Sequence, residues 1–224
     1  MSAAEALDRP KARNIDLAQG LQSLGLSLSS EACTKLDEYV GLLAKWNRTY
    51  NLTAIREPAR MVTHHLLDAL AVLPHLPQRA VVRVLDVGAG AGVPGIPLAI
   101  ARPQWNIVLV DSNHKKVAFI TQATIELALP NVRAVAARVE DLSGERPFDV
   151  VIARAFADLR TFAQSSAQHL APHGELYAMK GTLPEQEMSA LPPSIEIIAT
   201  PELHVPGMDA ARHLIVMRKR ADRA

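Results

Sequence analysis

The sequence has a single cysteine, few aromatic residues and almost no net charge. With Cys33 alone, no disulfide can form within the chain, and a cysteine-rich zinc site is excluded. Aromatic residues make up 4% of the 224 positions, which argues against a broad base-stacking sheet for single-stranded RNA. The 24 Lys and Arg nearly balance the 23 Asp and Glu, so the net charge is +1. A strongly basic RNA-coating protein is therefore disfavoured, whereas a local basic face remains open.

Long apolar runs are also lacking. No stretch of 18 apolar residues occurs, which excludes a transmembrane helix, and residues 1–10 carry charges where a signal peptide would be apolar. We therefore expect a cytoplasmic protein. Hydrophobic residues are 49% of the chain and charged residues 21%, which supports a packed core. The length fits one generous domain, or one domain with a small appendage.

The first third of the chain shows helical spacing. Apolar residues recur every three or four positions from Leu36 to Trp46, after Ser29 and Ser30. A second pattern starts at Pro58, a residue suited to a first helical turn. Residues 1–13 mix alanine, charges and proline, and we expect them to be frayed. The prediction is an N-terminal helical extension over residues 1–79 and an α/β domain over residues 80–224.

From residue 80 the chain alternates strand and helix patterns. Short apolar runs rich in β-branched residues predict strands at 81–87, 107–110, 132–135, 150–152, 175–179, 195–198 and 213–217. Helical patterns lie between most of them, at 94–101, 115–127 and 159–170. This alternation predicts a largely parallel sheet covered on both faces. No clear helix separates the last two runs, which predicts an antiparallel hairpin at the sheet edge.

A glycine-rich turn after the first predicted strand is the most informative segment. Glycines at 88, 90, 92 and 95 lead into a helix, a geometry that suits a polar or anionic ligand group. Gly90, with the two glycines after it, fits G-x-G-x-x-G, and Asp111 follows 21 residues later, where an acid accepts from ribose hydroxyls. This pattern suits NAD and S-adenosylmethionine equally. Asp86, just before Gly88, would face the ammonium of a methionine moiety but repel a pyrophosphate, which favours S-adenosylmethionine.

Four further residues at predicted strand ends are candidates for ligand contact. Val139 and Glu140 would flank an adenine, although an acidic helix cap explains them as well. Arg154 ends a strand among small apolar residues, which favours a ligand-facing side chain. Lys180 ends the next strand and is a candidate contact for an RNA phosphate, with a solvated loop lysine as the alternative.

Polar residues of the helical segment, and basic residues near the end of the sequence, suggest further roles. His64 and Asp68 are four residues apart, which suits a metal pair, but no third ligand is evident, so a structural hydrogen bond is favoured and no metal is expected. Residues 46–53 predict a structured helix exit packed on the α/β domain. Basic residues suggest two RNA-binding patches, one at the chain's end (218–220) and one formed by Lys45, Arg48, Arg56 and Arg60.

Together these motifs resemble the bacterial small-subunit ribosomal RNA guanine-N7 methyltransferases, the RsmG or glucose-inhibited division protein B family. The likeness runs from about residue 36 to 217. It rests on KWN at 45–47, YNLTAI at 50–55, HHLLD at 64–68, LDVGAGAGVPGIPL at 85–98, RVE at 138–140, RAFA at 154–157 and YAMKG at 177–181. Positions 137 and 153, where serine is more usual in the family, are alanine here.

The resemblance implies a Rossmann-like class I methyltransferase with an N-terminal helical extension. It implies transfer of a methyl group from S-adenosylmethionine to N7 of a guanine in the decoding-region loop of 16S rRNA, as free RNA or in the small ribosomal subunit. By likeness, Gly88 and Val93 line the donor pocket, Val139 and Glu140 meet the adenosine, Arg154 lies beside the cofactor, and Asp111 matches the ribose-binding acid.

Guanine N7 carries a lone pair and no proton, so this reaction needs no general base. That fits a sequence without an evident catalytic dyad, and Arg154 is the residue whose loss we expect to impair turnover. We expect a monomer. Three other functions stay open: a small-molecule methyltransferase, an NAD-dependent oxidoreductase, and a non-enzymatic nucleotide-binding module of ribosome assembly.

Overall fold

The computed structural model describes residues 15–220, so the expectations made for residues 1–13 lie outside the described part. Within the described residues, seven strands form one sheet in the order β3-β2-β1-β4-β5-β7-β6. Their bounds are β1 Arg83–Val87, β2 Asn106–Asp111, β3 Val132–Ala136, β4 Phe148–Arg154, β5 Leu170–Lys180, β6 Ile195–Ala199 and β7 His213–Lys219.

Strands β1 to β5 run parallel, and β7 pairs antiparallel with both β5 and β6. The predicted hairpin at the sheet edge is thus confirmed, with β6 outermost. The central strands are buried on both faces, which explains why they are continuous apolar runs. Their carboxyl ends share one edge of the sheet, where open α/β folds bind ligands.

All described elements before β1 are helical. They are α1 Leu17–Ser23, α2 Ser30–Tyr50, α3 Pro58–Met61, a π-helix Val62–Leu67, α4 Asp68–Leu70 and a 3-10 turn Leu73–His75. Asp16 and Ser29 cap α1 and α2 by accepting from backbone N–H groups. The second predicted helical pattern therefore forms a continuous helix over residues 58–70, in which a π-helical segment lies between two short α-helical segments. Such segments are frequent at functional sites.

The remaining helical elements cover the two sheet faces. They are α5 Gly95–Ala101, α6 His114–Glu126, a 3-10 turn Val139–Asp141, α7 Leu159–Ser166, a 3-10 turn Ala167–His169 and α8 Glu185–Ser189. Helices α5 and α6 pack on the face that also carries the N-terminal helices, and α7 packs on the other. The connection from β3 to β4, residues 137–147, contains a 3-10 turn and no α-helix, and it begins at the ligand-binding edge.

The helix predicted over residues 159–170 was too long, and the strand predicted over 175–179 was too short. The α-helix ends at Ser166, and Leu170 already pairs with Phe148 in β5. The register shifts before Glu175, and a side chain on Gly174 would lie 2.5 Å from the Phe148 carbonyl oxygen. The close approach that Gly174 allows lets the strand pass through this irregularity, which no apolar periodicity signals.

The N-terminal helices share one hydrophobic core with the sheet. Leu36, Leu43 and Leu66 are fully buried in the same cluster as Val84 and Ile152. This joint core fixes the helical segment against the ligand-binding edge, and the division between residues 79 and 80 stays a prediction. Within residues 15–220, no helix is long and apolar enough to cross a membrane.

Candidate functional site

The loop between β1 and α5 is anchored at the carboxyl edge of the sheet. The backbone N–H groups of Gly88 and Ala89 both donate to the carbonyl oxygen of Val110 at the end of β2. Gly88 and Gly90 have φ values of 65° and 58°, a backbone conformation in which residues with a side chain are strained. The loop therefore leaves its backbone open to close approach by a ligand.

Asp86 lies beneath this loop and lines neither of the two cavities described below. Its side chain is fully buried, Oδ2 accepts from Gly95 N at 2.8 Å, and Oδ1 has no hydrogen-bond partner. Burial raises the pKa of Asp86 to about 7, although the Gly95 N–H opposes the rise. The geometry differs from the expectation of a carboxylate facing a ligand ammonium, because this carboxyl group supports the N-terminus of α5.

Asp111, at the end of β2, joins the glycine loop to the next helix. Its Oδ2 accepts from Gly90 N at 2.9 Å and its Oδ1 from Asn113 N at 2.8 Å. Lys116 Nζ lies 3.8 Å from Oδ2. Each carboxylate oxygen keeps a further lone pair, so the group can accept from a ligand hydroxyl while holding the loop.

Tyr39, on α2, supports the same loop from the other side. Its hydroxyl donates to the carbonyl oxygen of Ala91 at 2.5 Å, and the whole side chain is buried. Burial raises its pKa far above the usual range, so the group remains a donor. The helical segment thus fixes the shape of the glycine loop directly.

Two cavities open along this edge of the sheet and share Gly88, Lys116, Ala155 and Phe156. The first, of about 470 Å³, is lined by Leu52, Thr53, Asp68, Gly88, Ala89, Gly90, Ala91, Val93, Lys116, Arg154, Ala155, Phe156, Met179, Lys180, Gly181 and Arg212. The second, of about 390 Å³, is lined by Val87, Gly88, Val110, Asp111, Ser112, Lys116, Ala137, Arg138, Val139, Glu140, Ala155 and Phe156. A Cβ on Gly88 would lie 2.9 Å from Phe156 Cδ2, so Phe156 covers the glycine where the cavities meet.

Arg154 lines the first cavity but is held by the helical segment. Its Nη1 donates to the His64 carbonyl oxygen at 2.8 Å and to Asp68 Oδ2 at 3.1 Å. The other Asp68 oxygen accepts from Arg212 Nε, also at 3.1 Å. Asp68 thus makes structural hydrogen bonds, as expected, but to two arginines at the cavity wall and not to His64. The His64 Nδ1 lies 3.1 Å from the Arg60 carbonyl oxygen instead.

A histidine links this arginine to a threonine. His65 Nδ1 lies 3.2 Å from Arg154 Nη2, and His65 Nε2 lies 3.0 Å from Thr53 Oγ1. Burial, followed by the adjacent guanidinium, lowers the pKa of His65 to about 3, so the ring is neutral. Asn47 holds the turn that carries Thr53, because its Oδ1 accepts from Thr53 N and its Nδ2 donates to Ile55 O. This is the structured helix exit that residues 46–53 predicted.

Lys180 is the last residue of β5 and also lines the first cavity. Its Nζ donates to the Ala157 carbonyl oxygen at 3.2 Å and pairs with Glu187 Oε2 at 2.8 Å. The lysine is therefore tied to α8 and to the loop after β4. Contact with an RNA phosphate stays a prediction.

The predicted site residues fall into three groups. Gly88, Gly90, Val93, Arg154 and Lys180 meet at the first cavity. The second cavity brings together Asp111, Val139 and Glu140, and also includes Gly88. Asp86 lies apart from both, beneath the loop.

Sequence reasoning missed three residues that the structure places at the site. Tyr39 was assigned only to an apolar helix face, although a buried tyrosine usually finds a partner for its hydroxyl, and that was the available signal. Lys116 and Arg212 carry no local signal. Arg212 reaches Asp68 from 144 positions away, a pairing that no sequence spacing encodes.

The chain matches a known protein family along most of its length. A family model described as rRNA small subunit methyltransferase G (GidB) matches residues 32–215. The ribosomal RNA small subunit methyltransferase G of Laribacter hongkongensis is 49% identical over 200 residues, which cover 89% of this chain and 95% of that protein. The protein of the same name from Azoarcus sp. is 49% identical over 91% of this chain and 95% of its own length.

Solved structures of lower identity share the fold. TrmN from Thermus thermophilus superposes with a TM-score of 0.56 at 21% identity, over 68% of this chain and 48% of its own. The glycopeptide N-methyltransferase MtfA, solved with S-adenosyl-L-methionine, has a TM-score of 0.60 at 12% identity, over 70% of this chain and 95% of its own. The seven-stranded sheet is that of the class I methyltransferases, and by its family match and its relatives the chain belongs to the rRNA small subunit methyltransferase G family.

Proposed function

We propose that this chain transfers a methyl group from S-adenosylmethionine to N7 of one guanine in the decoding-region loop of 16S rRNA. The observation that carries the proposal is the two-part cavity on the glycine loop, in a chain of this family. The name of the Laribacter relative supports the small-subunit rRNA as substrate. The guanine and its N7 come from the resemblance of the motifs.

The residues present fit S-adenosylmethionine. Gly88 and Gly90 keep side chains away from the loop backbone, and Val93 adds an apolar wall. Asp111 is the candidate acceptor for ribose hydroxyls, and Val139 and Glu140 are the candidate contacts to the adenosine. Asp86 supports the loop from beneath. When bound, the cofactor supplies an electrophilic methyl group.

The chain's own residues position the substrate and supply positive charge beside it. Guanine N7 has a free lone pair and no proton to lose, so no side chain has to act as a base. Arg154, Lys180 and Arg212 surround the part of the first cavity that Asp111, Val139 and Glu140 do not reach. Held cations suit a phosphate-rich substrate, and fixing the base beside the donor supplies most of the rate enhancement in this mechanism.

We propose that a local basic patch recognises the RNA, and residues 218–220, which are also exposed, are the second candidate. Lys45, Arg48, Arg56 and Arg60 are all exposed on the helical segment. If they bind phosphates, the logarithm of the binding constant falls linearly with the logarithm of salt concentration. Salt-independent binding would remove phosphate contacts as the driving force.

The decisive experiment uses purified protein, methyl-labelled S-adenosylmethionine and unmodified small-subunit rRNA, both free and in subunits. N7-specific chemical cleavage then maps the label. Label at one guanine in the decoding-region loop supports the proposal. Donor binding with no label on any RNA form would reject it, in favour of a small-molecule methyltransferase or a non-enzymatic assembly module.

We further propose that the protein acts in the cytoplasm as a monomer. The substrate class supports the compartment, because ribosomal subunits are there. Fractionation of cells and light scattering on the purified chain test the two statements. A stable dimer in solution would contradict the second.

A further inference from the structure

The hydroxyl of Thr53 is held in one hydrogen-bonding state by its neighbours. A guanidinium has only donors, so the contact between Arg154 Nη2 and His65 Nδ1 requires an unprotonated Nδ1. The His64 carbonyl oxygen lies 3.0 Å from the same nitrogen and accepts from Arg154 Nη1, so the guanidinium bridges two acceptors. A proton on Nδ1 would instead place two donors against each other at 3.2 Å. We therefore assign the proton of the neutral ring to Nε2.

The Nε2 proton then fixes the role of the threonine. His65 Nε2–H donates to Thr53 Oγ1 at 3.0 Å, and Ile55 N donates to the same oxygen at 3.2 Å. Both lone pairs of the hydroxyl are thereby used. Among residues 15–220, no acceptor is hydrogen-bonded to the remaining Thr53 proton. Thr53 is half-buried and lines the first cavity, so its hydroxyl is a donor that cannot accept.

The position of Thr53 in the cavity points to the base and not to the cofactor. It lines the first cavity together with Lys180 and Arg212, and it is absent from the second cavity, which Asp111 and Glu140 line. Under the proposed function the adenosine occupies the second cavity, and the rest of the cofactor lies on the glycine loop at Gly88 and Gly90. The end of the first cavity at Thr53 is then left for the substrate.

We propose that the Thr53 hydroxyl donates a hydrogen bond to O6 of the target guanine and selects guanine at this site. This inference rests on the proposed function. On the edge of guanine that carries N7, the neighbouring group is the O6 acceptor, whereas adenine presents an amino donor there. A hydroxyl whose lone pairs are both occupied pairs with O6 and leaves the adenine amino group without a partner. His65 acts through Thr53 as a positioning residue, and Arg154 orients His65 in addition to lining the cavity.

The test is a double-mutant cycle between the protein and the base. Small subunits are reconstituted with 16S rRNA that carries either guanine or 2-aminopurine at the target position. 2-Aminopurine keeps N7 and lacks O6. Wild-type protein and the Thr53→Val variant are compared by single-turnover methyl transfer, with binding of S-adenosylmethionine measured by calorimetry.

We expect Thr53→Val to lower kcat/KM on guanine by about three- to tenfold, the usual range for one neutral hydrogen bond. The preference for guanine over 2-aminopurine should shrink by the same factor, and donor affinity should not change. Thr53→Ser, which keeps the hydroxyl, should restore the preference. Thr34→Val is the matched control, since this exposed hydroxyl bonds only to the carbonyl oxygen of Ser30, on α2.

Three outcomes overturn the inference. Additive effects of the variant and the base change would show that Thr53 and O6 do not interact, because a double-mutant cycle isolates the pairwise energy. Loss of donor affinity in Thr53→Val would assign the hydroxyl to the cofactor. Absence of methyl transfer by the wild-type protein would overturn the proposed function and this inference with it, whereas additive effects with normal wild-type transfer overturn the inference alone.

Discussion

Arg154, at the end of β4, and Asp68, at the start of α4, form an ion pair across 86 positions of sequence. Their Nη1 and Oδ2 atoms lie 3.1 Å apart, and the Asp68 side chain is 3% exposed against 23% for Arg154. A carboxylate with so little access to water is stable only when its oxygens are paired, and Arg212 takes the second one. The helical segment thus sets the positions of two cations in the first cavity.

Replacing Arg154 with alanine should reduce methylation or donor binding at least tenfold. The guanidinium lines the cavity and also orients His65, so both functions are lost together. Steady-state kinetics with labelled S-adenosylmethionine measure the effect. Arg160→Ala is the matched control, because that arginine is exposed on α7. Wild-type kinetics in Arg154→Ala would remove this residue from the site.

Asp68→Asn should lower methyl transfer more than it lowers donor affinity. The substitution leaves two guanidinium groups with a neutral partner, which displaces Arg154 and Arg212 at the substrate end of the cavity. Stability should fall by roughly 2 kcal/mol, the usual worth of hydrogen bonds between charged groups. Urea denaturation and calorimetry separate the two effects. Glu31→Gln, which breaks the exposed pair with Lys35, should change neither by much.

Tyr39→Phe should weaken binding of S-adenosylmethionine about three- to tenfold while the fold persists. The lost hydroxyl leaves the Ala91 carbonyl oxygen buried without its partner, at a cost of about 1–3 kcal/mol to the loop. Tyr177→Phe is the comparison, since that hydroxyl donates to Glu175 Oε2, and neither residue lines the two cavities. Equal loss of donor affinity in the two variants would contradict a specific role for Tyr39.

Gly88→Ala should weaken donor binding more than Gly25→Ala, which should have no effect on it. Both positions have φ near 65°, so both variants carry the left-handed backbone cost of about 1–2 kcal/mol. Only at Gly88 does the new methyl group approach Phe156, and nothing lies within 4 Å at Gly25. Thermal unfolding and calorimetry report the two effects. Equal donor affinity in the two variants would contradict a ligand at this loop.

Two buried groups should give opposite pH dependences of stability. Asp86, with its pKa raised from 3.8 to about 7, keeps a proton that the unfolded chain releases, so its contribution falls as the pH rises from about 4 to 7. His65, with its pKa lowered from 6.5 to about 3, stays neutral while the unfolded chain gains a proton. Its contribution is therefore complete above pH 6.5 and is lost as the pH falls towards 3.

Single variants separate these contributions. Between pH 4.5 and 6.5, the unfolding free energy of Asp86→Asn should rise more steeply with pH than that of the wild type. That of His65→Asn should rise less steeply or fall. One group changes the slope by at most about 1.4 kcal/mol per pH unit. Urea denaturation across this range measures both slopes, and a parallel curve for either variant would contradict the assigned pKa.

Much of the fold can be predicted from local patterns in the sequence. The strand that ends at Val87 and the glycines after it form a strand, loop and helix because a buried parallel strand needs an apolar run and the loop needs positive φ. The antiparallel pairing of β6 with β7 followed from the absence of a clear helix between them. These features depend on residues at most 24 positions apart, as Ile195 and Lys219 are, so spacing reveals them.

The candidate site is harder to predict from the sequence, because its contacts join residues that are far apart in the chain. Asp86 precedes the glycines, yet whether it points to a ligand or to Gly95 depends on how α5 packs on β1. Arg154 was predicted to face a ligand, but its partners His64 and Asp68 lie in the N-terminal helical segment, far from it in sequence. Tertiary packing decides such contacts, and neither composition nor periodicity carries that information.

The pairing of Asp68 with Arg212 has a consequence for synthesis of the protein. The two residues are 144 positions apart, and β7, which starts at the residue after Arg212, inserts between β5 and β6. Contacts of such sequence separation carry a large loop-closure entropy, which slows their formation. In a chain from which β7 and the residue before it have not yet emerged, Asp68 lacks Arg212, and the first cavity lacks one of its lining residues. We therefore expect catalytic competence to arise only when β7 has been translated and has joined the sheet.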